Sequence, residues 1–263
     1  MLPTRTSSKL LRACLVMAVA TVPATAHAGE IYAGVSGGIA LNEDSRNSGE
    51  FDAAVPATPD WGAIPAGTSL EWDTEFDSGF AISGVVGYAF DNGLRSEVEL
   101  TYTRSGVKTH SGLAAGGAVI DGVDVAVLTR GAPSAANPTV GQVIADGQGD
   151  LTNMGVFANL FYDVPTGGPV SPYVGGGIGY VSTDVEYSPS GVGVADDKDG
   201  GLAWQAMAGL SVGLSESTDL FAQYTYRSRF DRAEVGLDLL PATLGVESNQ
   251  SILSAGVRFR FGN

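Results

Sequence analysis

Three stretches of this chain alternate charged residues with apolar ones. Arg95, Glu97 and Glu99 alternate with Leu94, Val98 and Leu100. Gln223, Thr225, Arg227 and Arg229 interleave with Tyr224 and Tyr226, and Arg258 and Arg260 with Val257, Phe259 and Phe261. Period-two alternation sends the two sets to opposite faces of a strand. Charges gathered on one face, away from water, have two uses. Guanidinium and carboxylate groups pair through forked hydrogen bonds, or they line a narrow charged path.

Other chemistry is poorly supplied. His110-Ser111 is the one histidine–serine neighbour pair outside the N-terminal segment, and acyl transfer would need a carboxylate to orient the ring. The pair falls in a polar stretch read here as a loop, where a histidine is ordinarily solvated, so no catalytic residue is assigned and an enzyme is not expected. Glu71, Asp73, Glu75 and Asp77, and the run Asp196-Asp197-Lys198-Asp199, lack the spaced oxygens and glycine of a calcium loop. Both read as a solvated, repulsive surface; the alternation of the first set would also suit one acidic face of an extended second strand. Gly175 to Gly179 lies within a strand rather than at a strand-to-helix turn, so it is no phosphate loop. No metal site and no cofactor are expected.

The elements that position these charges begin after a leader. Arg5, Lys9 and Arg12 precede the apolar run Ala13–Val22, and Ala26-His27-Ala28 has the small residues of a cleavage site. Residues 1–28 are therefore expected to be a cleaved signal peptide, and residues 29–263 one barrel domain. Cleavage removes Cys14, the only cysteine, and leaves His110 as the only histidine. It also leaves 11 basic residues against 29 acidic ones, a formal charge of −18. Nucleic acid needs a basic footprint and is not an expected partner.

Glycine is 37 of 263 residues, about twice ordinary usage, and no segment after the leader is apolar long enough for a spanning helix. Eight alternating segments read as strands: Glu30–Leu41, Gly79–Phe90, Leu94–Arg104, Leu151–Asp163, Pro172–Val185, Leu202–Leu214, Asp219–Arg229 and Ser251–Phe261. Each suits a tilted membrane strand of about 9–11 residues or slightly more. Connections after the second, fourth and sixth strands are short; 42–78, 105–150, 186–201 and 230–250 are long. Short periplasmic turns and long extracellular loops mark an outer-membrane barrel. A soluble lipocalin-like barrel would place its apolar faces inside. Here the charged faces must point inward, because a charge at the bilayer midplane costs about 2–4 kcal/mol. Tyr88, Phe90, Tyr162, Phe259 and Phe261 near one end, and Tyr102, Tyr180, Trp204 and Tyr226 near the other, fit two interfacial girdles. The fold class is all-β, an eight-stranded antiparallel up-and-down transmembrane barrel.

Four motifs carry a resemblance. They are Gly93-Leu94-Arg95-Ser96-Glu97-Val98-Glu99-Leu100-Thr101-Tyr102, Asn159-Leu160-Phe161-Tyr162-Asp163, Pro172-Tyr173-Val174-Gly175-Gly176-Gly177-Ile178-Gly179-Tyr180, and Tyr224-Thr225-Tyr226-Arg227. In this order the chain resembles the small eight-stranded barrels of the OmpA, OmpX and opacity-protein type, especially the porin-family surface antigens of Gram-negative bacteria. The resemblance implies residence in the bacterial outer membrane, contact with its lipid and lipopolysaccharide, and recognition of the last strand by the barrel-assembly machinery. It also implies loops that meet host or environmental ligands. Such barrels usually end on an aromatic residue, whereas Gly262 and Asn263 follow Phe261 here. OmpA carries a peptidoglycan-binding domain after its barrel, and no cell-wall anchoring is expected of this chain.

An eight-stranded barrel is just wide enough for side chains to fill. Arg95, Glu97, Glu99, Gln223, Arg227, Arg229, Arg258 and Arg260 are therefore expected to form a lumen charge network. Glu97 and Glu99 should meet arginines of the last two strands, with surplus arginine paired to rim aspartates. The resulting expectation is a non-enzymatic surface barrel with a plugged lumen, serving as an adhesin, surface antigen or envelope-stabilising protein. The alternative is a narrow small-solute channel.

Overall fold

The structure is a computed structural model that describes residues 29–261. The expected leader, with Cys14 and His27, lies outside the described residues, as do Gly262 and Asn263. The strands in chain order are β1 (Glu30–Asn42), β2 (Ser45–Phe51), β3 (Ser69–Phe76), β4 (Gly79–Ala89), β5 (Leu94–Ala115), β6 (Ala118–Val119), β7 (Gly149–Asp163), β8 (Val170–Tyr187), β9 (Ala195–Ser215), β10 (Thr218–Arg229), β11 (Ala233–Gly236), β12 (Ala242–Val246) and β13 (Gln250–Phe261). Two short helices, α1 (Ala126–Thr129) and α2 (Val140–Ile144), fall between β6 and β7.

Eight strands close an antiparallel ring in the order β1-β4-β5-β7-β8-β9-β10-β13. Closure comes from β1 against β13, from Ile31 opposite Phe261 to Asn42 opposite Gln250. A closed ring leaves no open edge, the condition for crossing hydrocarbon with strands. The outer surface is apolar: Val86 and Leu100 are each 61% exposed and Ile178 is 67% exposed. Residues of opposite parity, among them Tyr32, Arg95, Glu99, Gln205 and Arg227, are buried inside. This inside-out arrangement rules out a soluble barrel. Aromatic rings meet on the outer surface near both rims, Trp204 with Tyr226 and Phe80 with Tyr102 at the upper rim, and Tyr88 with Phe90 at the lower.

The ring carries a second storey. Above the membrane β5 continues upward and pairs with β3, then β2, β12 and β11 follow. β11 is tied to β9 by carboxylates: Asp199 accepts from the Glu234 N–H at 3.2 Å, and Asp197 from the Gly236 N–H at 3.0 Å. The shell surrounds an apolar core that includes Phe51, Leu70, Trp72, Leu113, Val235 and Leu244. The polarity rule therefore inverts along a single strand. On β8 the outward residues run Val174, Ile178, Tyr180 and then Ser182, Asp184, Glu186. The inward residues run from glycines to Val185 and Tyr187, both fully buried. The inversion marks the upper membrane boundary.

Several expectations change accordingly. Stretches 42–78 and 105–150 are not simply loops but contain β2, β3, the upper half of β5, β6 and both helices. Glu71, Asp73 and Glu75 belong to the separate strand β3, not to an extension of β4; Asp73 lies 3.6 Å from Arg46, and Glu75 2.9 Å from Lys108. The Asp196–Asp199 run is the start of β9, where Asp197 and Asp199 hold the β11 backbone rather than a solvated loop. His110 is on a strand and buried.

Large inward side chains need small partners. The Phe161 ring lies across β8 at Gly175, and Phe157 at Gly179, where a methyl group would overlap the ring. Gly175→Val is expected to cost roughly 1–3 kcal/mol through overpacking. Comparing the folded-to-unfolded transition of the variant with that of the native barrel in lipid checks this; an unchanged midpoint would count against the packing described.

Candidate functional site in the barrel lumen

The lumen is filled in layers. At the periplasmic rim Arg260 lies 2.9 Å from Asp219 and 3.8 Å from Glu30. Just above, Arg95 binds Asp163 at 2.6 Å through Nε, donates to the Tyr32 hydroxyl at 3.2 Å and stands 3.9 Å from Glu97. Its guanidinium also faces the Phe161 ring at 4.6 Å. The Tyr32 hydroxyl donates to Glu97 at 2.9 Å. Buried Arg258 has no carboxylate within ion-pair distance among the described residues; it lies against the Tyr32, Phe221 and Tyr173 rings at 5.1, 5.1 and 6.0 Å.

Mid-membrane, Asn159 donates to Glu97 at 3.2 Å and to Glu99 at 3.1 Å. Gln205 donates to Glu99 at 2.7 Å and to Asn159 at 2.8 Å. Arg227 donates to Gln205 through Nε and Nη2, at 3.0 and 2.8 Å, and to Thr101 at 3.2 Å. It stands 3.6 Å from Glu99 and packs over Phe157 at 4.5 Å. Each amide thus donates to two neighbours and accepts from a third, so both carboxylates are satisfied on more than one side. A buried ion needs such supplementary bonds to offset its lost hydration. Free space beside Glu99 and Arg227 amounts to about 10 Å³, room for about one water. At the periplasmic mouth the lumen widens to a vestibule of about 290 Å³ bordered by Arg95, Asp163, Arg258 and Arg260.

In the upper layer Gln250 donates to Asn42 at 2.7 Å and to Thr103 at 3.0 Å, and Thr183 donates to Asn153 at 2.7 Å. Arg229 pairs with Asp199 at 2.8 Å and Asp231 at 3.1 Å.

The eight residues singled out by alternation all point toward the lumen or its rims, and their partners meet the expectation at Arg227, Arg229 and Arg260 but not at Arg258. Arg227 reaches Glu99. Arg258 and Arg260 do not reach either glutamate, because the Tyr32 hydroxyl occupies Glu97 and its ring meets Arg258. Arg229 and Arg260 are held by rim aspartates. Gln223 accepts from the Tyr173 hydroxyl at 3.0 Å. Tyr32, Tyr173 and Gln205 were not singled out. Their inward parity was readable from the lipid-facing residues on either side, but an uncharged residue gave no further signal.

His110 sits in the shell above. It shares a 2.8 Å hydrogen bond with Thr74 through Nδ1 and meets the Tyr187 and Trp72 rings edge-on. Burial pushes its pKa down to about 4 and pushes that of the Tyr187 hydroxyl up.

Comparison with known proteins agrees with this architecture. OprG of Pseudomonas aeruginosa is similar at a TM-score of 0.59 and 13% identity, covering 90% of this chain and 98% of that one. Neisserial surface protein A matches at a TM-score of 0.43 and 19% identity, over 88% of this chain and 97% of its own. AlkL matches at a TM-score of 0.42 and 16% identity, over 90% and 92%. No curated protein sequence matches. Residues 13–259 match the family described as the outer membrane protein beta-barrel domain. With its closed ring, apolar exterior and polar interior, the chain belongs to that family and is a protein of the bacterial outer membrane.

Proposed function

We propose that the chain is a non-enzymatic surface protein whose barrel is a closed anchor and whose extracellular shell is the working part. The observation that carries this reading is the mid-lumen lattice of Glu97, Asn159, Glu99, Gln205 and Arg227, which leaves about 10 Å³ of free space beside the charged pair. A solute path would have to break several charge-assisted bonds at once. His110, the one histidine among the described residues, supports a non-enzymatic role, since it is packed between aromatic rings with its Nδ1 committed to Thr74. An adhesive, antigenic or envelope-stabilising role fits a structured shell whose outer face bears Glu71, Asp73, Glu186 and Asp196. That face would steer basic partners toward it. Lipid and lipopolysaccharide would meet the apolar girdle, and the assembly machinery the last strand.

Proteoliposome swelling tests the reading against a narrow channel. Vesicles carrying the barrel are expected to swell in arabinose no faster than protein-free vesicles. Swelling that is rapid and falls off with solute size would favour the channel.

A further inference from the structure

The extracellular shell contains a cavity that the lumen lattice does not explain. Its volume is about 320 Å³, and its walls are almost wholly apolar, including Leu113, Ile120, Val127, Ile144 and Leu240. That volume is in the range of small-ligand pockets and has room for a chain of about ten carbons. An apolar cavity holds water poorly, and leaving one unfilled costs stability. Gly62, Val192 and Leu239 belong to its lining and are exposed, so the mouth faces outward. Below it the β8 register descends from Tyr187 through buried Val185 to the polar layer at Thr183, so the cavity ends blind above the lattice.

One cation lines this space. Arg130 follows α1 in a left-handed conformation, φ 59°. Its Nη2 is held by the backbone carbonyls of Pro56, Trp61 and Gly62. Its Nε is buried with no hydrogen-bond partner, and no carboxylate lies within 4 Å among the described residues. Carbonyls anchor one edge of the guanidinium and leave its charge unneutralised beside an apolar chamber.

We infer that this cavity binds a small amphiphile with one carboxylate and an apolar tail, of the medium-chain fatty acid class, with the head on Arg130 and the tail in the chamber. A neutral alkane would leave the Arg130 charge unanswered, and a multiply charged head would find a single cation. The site captures from the outside and does not depend on whether the lumen conducts.

The test is calorimetric titration of decanoate and 1-decanol into the full barrel in lipid nanodiscs, with empty discs subtracted. Decanoate is expected to bind saturably at one site, at least about tenfold tighter than decanol, because a charge-assisted bond is added. Arg130→Gln should weaken decanoate at least about tenfold and leave decanol unchanged, and Arg130→Lys should recover part of the loss. Val127→Trp, which fills the chamber, should remove binding of both. Equal binding of the two probes by the native barrel, decanoate binding unaffected by Arg130→Gln, or no saturable decanoate binding would each overturn the inference. The native comparison decides even if a variant fails to fold.

Discussion

Glu99→Ala is expected to lower the stability of the folded barrel by about 3–5 kcal/mol, the cost of leaving a buried charge without its partner. Glu99 is buried and takes bonds from Gln205 and Asn159, with Arg227 3.6 Å away. Without it Arg227 keeps only neutral acceptors, Gln205 and Thr101, and the face of Phe157. Glu97→Ala should cost less, because Arg95 retains Asp163 at 2.6 Å. Glu99→Gln, which keeps an acceptor and loses the charge, should fall between. Removing both charges in Glu99→Gln/Arg227→Gln should cost less than the two single changes added together, since neither change then strands an ion. Urea unfolding from lipid vesicles, followed by tryptophan fluorescence, measures all of these. A loss below about 1 kcal/mol for Glu99→Ala would mean that water reaches the site and screens the arginine.

Acid is expected to loosen the extracellular shell through His110. The ring titrates near 4 in the folded shell, below its ordinary value, because burial favours the neutral form. As pH falls below about 6.5 the unfolded segment takes up a proton that the folded one refuses. Stability is thus fully present above about 6.5 and declines toward pH 4. The loss at the bottom of that window is on the order of a few kcal/mol. Hydrogen exchange at β3 and the upper half of β5 should quicken across this window. His110→Phe keeps an aromatic ring beside Trp72 and Tyr187 and removes the titration, so its exchange should lose that dependence. Protection in the native shell that stays constant from pH 7 to 4.5 would contradict the burial of His110.

The membrane half of the fold was legible because lipid imposes a strict rule. Each strand had to show lipid an apolar face, so Val98 and Leu100 against Glu97 and Glu99, or Tyr224 and Tyr226 against Thr225 and Arg227, fixed parity directly. The shell was not legible because that rule reverses above the boundary and the alternation itself breaks. On β5 register shifts against β3 occur between Val107 and Thr109 and again between Ser111 and Ala114. Inward burial passes from Val107 to His110 and then to Leu113, a spacing of three rather than two. A bulge puts two residues opposite one and defeats a period-two reading. β2 was hidden for another reason, since two of its three buried positions, Ser45 and Asn47, are polar and only Phe51 is apolar.

Alternation also set which charges entered the lumen but not which met. Glu97, Gly87, Tyr32 and Arg260 follow one another across neighbouring strands. Reach across the lumen depends on side-chain length and on what stands between. Tyr32 stands between Glu97 and Arg258, offering its hydroxyl to one and its ring to the other. No periodicity in the sequence encodes that separation. The surplus of arginine was visible, and with it the need for rim aspartates; which ones answer, Asp163, Asp199, Asp219 and Asp231, was not, because an aspartate near a strand end reads as ordinary turn chemistry.

The central claim is that side chains close the lumen, and single-channel recording of the native barrel in a planar bilayer tests it most directly. In molar KCl the native protein is expected to give no resolvable conductance steps. Any Glu99→Ala barrel that inserts should open transiently as the Arg227 contact is lost. Stable steps from the native protein, scaling with salt concentration, would contradict the closed lumen.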